Sequence, residues 1–304
     1  MRTTVDTAWL GPVSVTGLTE RAVGDSVVQA ISEGRGGSIV TVNIDILRAA
    51  TRDPAYARLV AAAELSVADG MPVVWAARLA GARVPERVTG ASLVFSLCES
   101  AARTGRSVYL IGGLPGVPEA AGQALAARYP GLRVVGAVSP PFGFDQDEQE
   151  LAALESAVTA AAPDLVLVGL GFPKQERLIA RLRPLLPHAW FLGCGAGIPM
   201  AAGQFRRAPQ VAQRLGAEWL HRLAQEPRRL ARRYLVDDLP FAVLLLARTL
   251  AARVTATAAP RPVLPVAVPP TLTLVPPVLA EAVEEGATVH VLPQAALLPP
   301  VVQA

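Results

Sequence analysis

From Ser38 to Cys194 the chain alternates short β-branched runs with longer amphipathic stretches. The runs are SIVTV (38–42), LSV (65–67), SVYLI (107–111), RVVGAV (133–138), DLVLVG (164–169) and AWFLGC (189–194). Most are apolar at consecutive positions, which predicts strands covered on both faces. Between them, ASLVFSLCESAART (91–104) and EQELAALESAVTAAA (148–162) space their apolar residues as helices do. Several runs end directly in glycine: Ile111 in Gly112-Gly113, Val168 in Gly169 and Leu192 in Gly193. The pattern predicts an α/β fold, a Rossmann-like parallel sheet flanked by helices. Ligands of such sheets are received at the carboxyl ends of the strands.

After about residue 205 the strand pattern stops. Two helical stretches follow, divided at Glu226-Pro227, because proline starts a helix well and interrupts one badly. From about Thr255 the chain turns proline-rich and loses any sustained period. Three parts are therefore expected: an α/β domain over 1–205, a helical arginine-rich appendage over 206–254, and a Pro-rich tail over 255–304, extended and largely disordered.

Charge changes this picture in one place. The 304 residues carry a formal net charge of +3, too little for a nucleic-acid coat. Lys174 is the only lysine, so the basic charge is nearly all arginine. Arg206, Arg207, Arg214, Arg222, Arg228, Arg229, Arg232 and Arg233 crowd between Arg206 and Val236, opposed there only by Glu218 and Glu226. Helical spacing puts Arg222, Arg229 and Arg233 on one face, with Trp219, Leu223, Leu230 and Tyr234 as an apolar stripe on another. Cys98 and Cys194 stand apart in apolar surroundings and read as buried reduced thiols. The opening MRTTVDTAWLGPVSV lacks the apolar core of a signal peptide. The apolar run LPFAVLLLA (239–247) is about half of the roughly 18 residues that suggest a span, and Arg248 ends it. These features predict a cytoplasmic chain that does not cross a membrane.

The glycine turns GGLPG (112–116), GLGFPKQE (169–176) and GCGAG (193–197) miss the GxGxxG spacing of a dinucleotide site, and there is no P-loop. They do offer backbone N–H groups to a phosphate or sugar, which makes Gly112, Gly113, Gly171 and Gly195 candidate binding positions. Asp145 and Asp147 in FDQDEQELAAL imitate a metal-holding DxD pair, yet acids at a helix start favour a capping role. The histidines His188, His221 and His290 have no ligand spacing, so metal-free chemistry is expected. Thr41 and Asn43 end one predicted strand and Asp69-Gly70 follow the next. A carboxylate at such a strand end can serve as a general base toward a hydroxyl. Asp69 and Asn43 can equally cap the helices that follow them.

Taken together, TVNIDIL, ADGMPVVWAARLAGARVPERVTGASL, VYLIGGLPGV, GLGFPKQERLI, AGQFRRAP and QRLGAEWLHRLAQEPRRLARRYL resemble, in order, the WecG/TagA/CpsF family of bacterial glycosyltransferases, over about residues 10–250. The resemblance implies an inverting transferase without the usual DxD metal. Its donor would be a uridine-diphosphate (UDP) sugar, often of N-acetylmannosamine or its uronic acid. Its acceptor would be an undecaprenyl-diphosphate-linked sugar, and the product would feed teichoic acid or another surface polysaccharide. By the same resemblance Asp69 is the catalytic base and Thr41 and Asn43 position substrate. Arg87 matches the arginine of the ERVTG motif, and Gln175 and Glu176 match the GFPKQE loop. The arginine-rich segment would lie over the active site beside the membrane. There Arg222, Arg229 and Arg233 are candidates to hold the departing diphosphate, since arginine pairs with phosphate oxygens in a bidentate way. One departure stands out: Ile198-Pro199 occupies the place of a common Phe-Asp pair.

The expected partners are thus the donor, the lipid-linked acceptor and the inner face of the cell membrane, with no nucleic acid and no cofactor. A homo-oligomer is left open. A non-catalytic nucleotide-sugar-binding or scaffolding subunit is the first alternative, favoured if Ile198-Pro199 disables the site. A nicotinamide-dependent oxidoreductase is the second, opposed by the missing fingerprint.

Overall fold

The structure, a computed structural model, describes residues 6–204, 220, 223–224, 227–258 and 289–291. β1 (Thr7–Leu10) and β2 (Val13–Thr16) come first, and α1 (Glu20–Ser32) leads into β3 (Gly37–Val42). Next are α2 (Ile44–Arg52), α3 (Pro54–Ala61), β4 (Leu65–Ala68), α4 (Met71–Leu79) and α5 (Gly90–Thr104). Strand and helix then alternate through β5 (Ser107–Gly112), α6 (Val117–Arg128), β6 (Arg133–Val138), α7 (Glu148–Ala161), β7 (Leu165–Gly169), α8 (Lys174–Leu182), β8 (Trp190–Gly193) and the short α9 (Gly197–Ala201). The described C-terminal elements are α10 (Pro227–Ala231), a π-helical stretch (Arg232–Asp238), α11 (Leu239–Ala258) and β9 (Val289–Val291). All six expected strands are present to within one residue at either end. The fold is α/β, with mostly parallel strands and flanking helices.

The chain forms two compact units from interleaved segments. The first is Met1–Gly17, Val42–Arg87 and Ala208–Ala304; the second is Leu18–Thr41 and Val88–Arg207. In the second, five strands lie parallel in the order β6-β5-β7-β8-β3. Every residue of β5 is buried, as a strand covered on both faces requires. Alternate residues serve one face: Tyr109 and Ile111 of β5 and Val166 and Val168 of β7 pack with Leu151, Leu154 and Val158 of α7 and Leu178, Ile179 and Leu182 of α8. The amino ends of β5 and β7 are pinned by Asp164, whose carboxylate accepts from Ser107 N at 2.7 Å and Ser107 Oγ at 2.8 Å. The opposite, carboxyl edge carries the glycine turns.

In the first unit the strand order is β4-β2-β1-β9. β1 and β2 form an antiparallel hairpin, Leu10 opposite Val13, turned by Gly11 at φ 64°. TAWLGPVSVT shows no strand period in sequence, because each arm is only four residues long. β9 pairs in parallel with β1, Thr7 with Val289 and Trp9 with Val291. The tail expected to lack structure therefore contributes at least this strand; its other residues beyond Ala258 lie outside the described ones. α11 also runs past Arg248 to Ala258, since LARTLAAR (246–253) is built mostly of good helix formers and one arginine does not stop a helix. Its buried stripe is Ala242, Leu245 and Thr249, and Arg253 Nη1 donates to Leu79 O of α4 at 3.2 Å. No helix among the described residues is long and apolar enough to cross a membrane.

Candidate functional site

In the second unit the chain leaves β5 for β6 on one side and returns to β7 on the other. That reversal sets the crevice of an open α/β sheet at the carboxyl ends of β5 and β7. Gly112 and Gly113 close β5 with φ of 117° and 90°. A Cβ on Gly112 would stand 2.5 Å from the Gly169 carbonyl oxygen, so the two strand ends meet backbone to backbone. α6 and α8 begin beside these turns at Gly116 and Pro173, neither of which supplies a side-chain cap. Elsewhere in the unit Thr19, Thr89 and Asp147 cap α1, α5 and α7. α6 and α8, like the short α9, thus start without a side-chain acceptor, although Val117 N donates to Leu114 O and Gln175 N to Gly171 O; helix N-termini attract anions.

Gln175 and Glu176 sit at the start of α8, each 4% exposed. Gln175 Oε1 accepts from two turn amides, Gly171 N and Gly195 N, both at 3.1 Å. Its Nε2 donates to Glu176 Oε1 at 2.8 Å. Glu176 Oε2 has no hydrogen-bond partner among the described residues, and burial pushes the carboxyl up to about 7. Thr41 is buried at the end of β3, where a Cβ on Gly90 would come within 3.1 Å of its Oγ1. The second unit therefore gathers Gly112, Gly113, Gly171, Gln175, Glu176, Gly195 and Thr41 along one strand edge.

The first unit holds Asn43, Asp69 and Arg87. Asn43 caps α2, its Oδ1 accepting from Ile46 N at 2.9 Å. Asp69 is half-buried after β4, its N–H donating to Val42 O at 2.9 Å. The capping alternative for Asp69 needs correction: the N-cap of α4 is Gly70, at φ 110°. Arg87 is half-buried in the loop before α5. Arg222 lies outside the described residues, and Arg229 lies in α10.

Arg233 is engaged with acids. Its Nη2 stands 3.0 Å from Asp45 Oδ2 and its Nε 3.6 Å from Asp238 Oδ2. Arg48 completes the group, 2.7 Å from Asp45, 3.5 Å from Asp237 and 3.3 Å from Asp238. The backbone explains the pairing, since a π-helix aligns residues five apart, and Arg233 and Asp238 are five apart. Asp238 is 4% exposed; burial raises its carboxyl to about 6, against the pull of Arg233 and Arg48. The sequence reading missed this cluster because Asp237 and Asp238 begin one residue beyond the basic run, and Asp45 and Arg48 lie far from it in sequence.

The two acids of the DQD stretch have other work. Asp147 accepts from Gln149 N and Glu150 N at the start of α7. Asp145 is 2.8 Å from Lys174 Nζ, whose hydrogen bond holds its carboxyl below the usual range. Among the described residues no group of three or more His, Cys, Asp or Glu side chains is placed to hold a metal ion. Cys98 and Cys194 are buried thiols pushed up to about 12 by that burial.

The model of the family described as Glycosyl transferase WecG/TagA/CpsF family matches residues 9–255, from β1 into α11. The chain belongs to this family. Membership assigns it glycosyl transfer and supports a role in making cell-surface polysaccharide. The departure at Ile198-Pro199 has a packing explanation: Ile198 is fully buried, and its Cδ1 lies 3.0 Å from where a Cβ on Gly169 would be. Both residues lie in the first turn of α9, and Ile198 fills space beside the β7 turn.

Proposed function

We propose that the chain is an inverting transferase moving N-acetylmannosamine, or a related hexose or uronic acid, from a UDP-sugar to a polyprenyl-diphosphate-linked sugar. The observation that carries this reading is the pair of uncapped helix starts, α6 and α8, set beside glycine turns at the strand reversal. Such an arrangement suits a diphosphate, because helix N-termini and glycine turns bring backbone N–H dipoles close to an anion. In the proposed reaction Asp69 accepts the proton of an acceptor hydroxyl. The hydroxyl oxygen bonds the anomeric carbon, and the anomeric carbon–oxygen bond to UDP breaks with its electrons leaving on the diphosphate. Thr41 and the amide nitrogen of Asn43 orient the sugar, and Arg87, Arg222, Arg229 and Arg233 supply positive charge to the leaving group. No metal is called for, because Asp145 and Asp147 are occupied by Lys174 and the α7 cap.

Docking at the inner membrane face fits the appendage. Leu235, Val236, Leu239, Val243, Leu244, Leu250 and Val254 are exposed there, following the arginine run. Basic residues near an anionic leaflet contribute about 1 kcal/mol each. The test is released UDP when purified protein meets a panel of UDP-sugars and a short-chain polyprenyl-diphosphate acceptor, with and without chelator. Release that needs both substrates and survives chelation supports the reading. Release by no donor, or strict dependence on a divalent cation, contradicts it.

A further inference from the structure

The carboxyl edge of the second unit contains a buried acid. Glu176 is 4% exposed, and its Oε2 is buried without a hydrogen-bond partner among the described residues. A polar atom in that condition is costly to keep, so its retention calls for a reason. Its other oxygen supplies one. Gln175 has two ends, a carbonyl that accepts and an amide that donates, and a buried glutamine can sit either way round. Glu176 Oε1 accepts only from the amide end, at 2.8 Å. This turns the carbonyl end toward Gly171 N and Gly195 N. These amides belong to different turns, one after β7 and one after β8, and a single atom ties them together. Gly193 has been kept clear for the pair: a Cβ there would lie 2.6 Å from Gln175 Nε2 and 3.1 Å from Glu176 Oε1.

We infer that Glu176 is a positioning residue that fixes the orientation of the Gln175 amide, and through it the spacing between the β7 and β8 turns that receive the donor. It acts without touching substrate. Reversing Gln175 would put an N–H donor against two N–H donors, and the turns would separate. The inference deepens the functional reading above and, where UDP is the probe, rests on it.

The experiment compares Glu176→Gln with Glu176→Met. Glutamine keeps an oxygen able to accept from Gln175 Nε2; methionine keeps the length and packing but has no comparable acceptor. UDP affinity is measured by calorimetry, and the backbone amide resonances of Gly171 and Gly195 by NMR without ligand. The expected result is that Glu176→Gln keeps both resonances near their wild-type positions and binds UDP within about twofold. Glu176→Met is expected to move both resonances together and weaken UDP by about tenfold, one lost hydrogen bond to a charged group being of that order. If Glu176→Met matches wild type in both readouts, the inference is overturned. If neither variant folds, the Gln175 side-chain amide in wild type decides: slow solvent exchange of its Nε2 protons supports the pairing, and fast exchange overturns it. A wild-type chain that binds no UDP counts against the functional reading alone, because the resonances still test the positioning role.

Discussion

The second unit's strand edge and the first unit's Arg-Asp cluster handle charge in opposite ways. At the edge, α6 and α8 start without side-chain caps and the acid present, Glu176, is buried. In the cluster, Arg48 and Arg233 already face Asp45, Asp237 and Asp238. At the edge the backbone N–H groups are held by neutral acceptors, Gly171 N and Gly195 N by Gln175 Oε1 and Val117 N by Leu114 O, whereas in the cluster the guanidinium groups face carboxylates. The backbone turns are therefore the better-prepared receiver, and Arg233 must exchange a carboxylate for a phosphate before it can help. An arginine count overstates the positive charge on offer.

The sharpest way to break this division is to separate chemistry from holding. Asp69→Asn should cut transfer by ~10²–10⁴-fold, the usual contribution of a positioned base, while UDP binding stays within a factor of about two. Steady-state rates and calorimetry check the two halves. Wild-type turnover would remove Asp69 from the chemistry.

Next in size is the pH dependence of stability. Glu176 is raised to about 7 from an ordinary carboxyl value of 4.5 by burial. The folded state then holds a proton that the unfolded state has lost, so stability falls as pH rises from about 4.5 to 7 and levels off above. The difference amounts to about 3 kcal/mol at most. Denaturant unfolding across that range should show the slope in wild type and lose much of it in Glu176→Gln. Asp238, raised to about 6, adds a slope of the same sign that Glu176→Gln leaves in place.

Gly112→Ala should cost less, about 1–3 kcal/mol, through its positive φ and the approach of Gly169. It should also weaken UDP by about tenfold, because the paired turns must part. The smallest effect concerns the cluster. Asp45→Asn relieves Arg233 of its nearest acid, so UDP affinity at low salt should rise about threefold, the scale of a partly exposed pair. The gain should shrink in added salt. An affinity that falls instead would show that Asp45 orients Arg233 for the phosphate.

Much of the second unit was legible in advance because its strands are continuous apolar runs ending in glycine, a pattern that burial on two faces enforces. Thr41, Gly112, Gly113, Gly171 and Gly195 fall at or just beyond the strand ends where the sequence placed them, and Gln175 falls in the first turn of α8. What escaped has physical causes. The β1–β2 hairpin is too short to show a period. Glu176 is named from the sequence only by its match to the GFPKQE loop, and nothing in that stretch tells that it is buried or that Gln175 joins two turns. The acids around Arg233 come from α2 and from a π-helical register that sequence spacing does not signal.

The central claim is that the donor's diphosphate is received by the glycine turns of the second unit. Its most direct test is a titration of the full chain with UDP, followed through backbone amide resonances. The account predicts that Gly112, Gly113, Gly171 and Gly195 shift together and saturate with one dissociation constant, with changes in the arginine-rich segment smaller and sensitive to salt. Four glycine amides unmoved at saturating UDP, with shifts confined to the arginines, would contradict it.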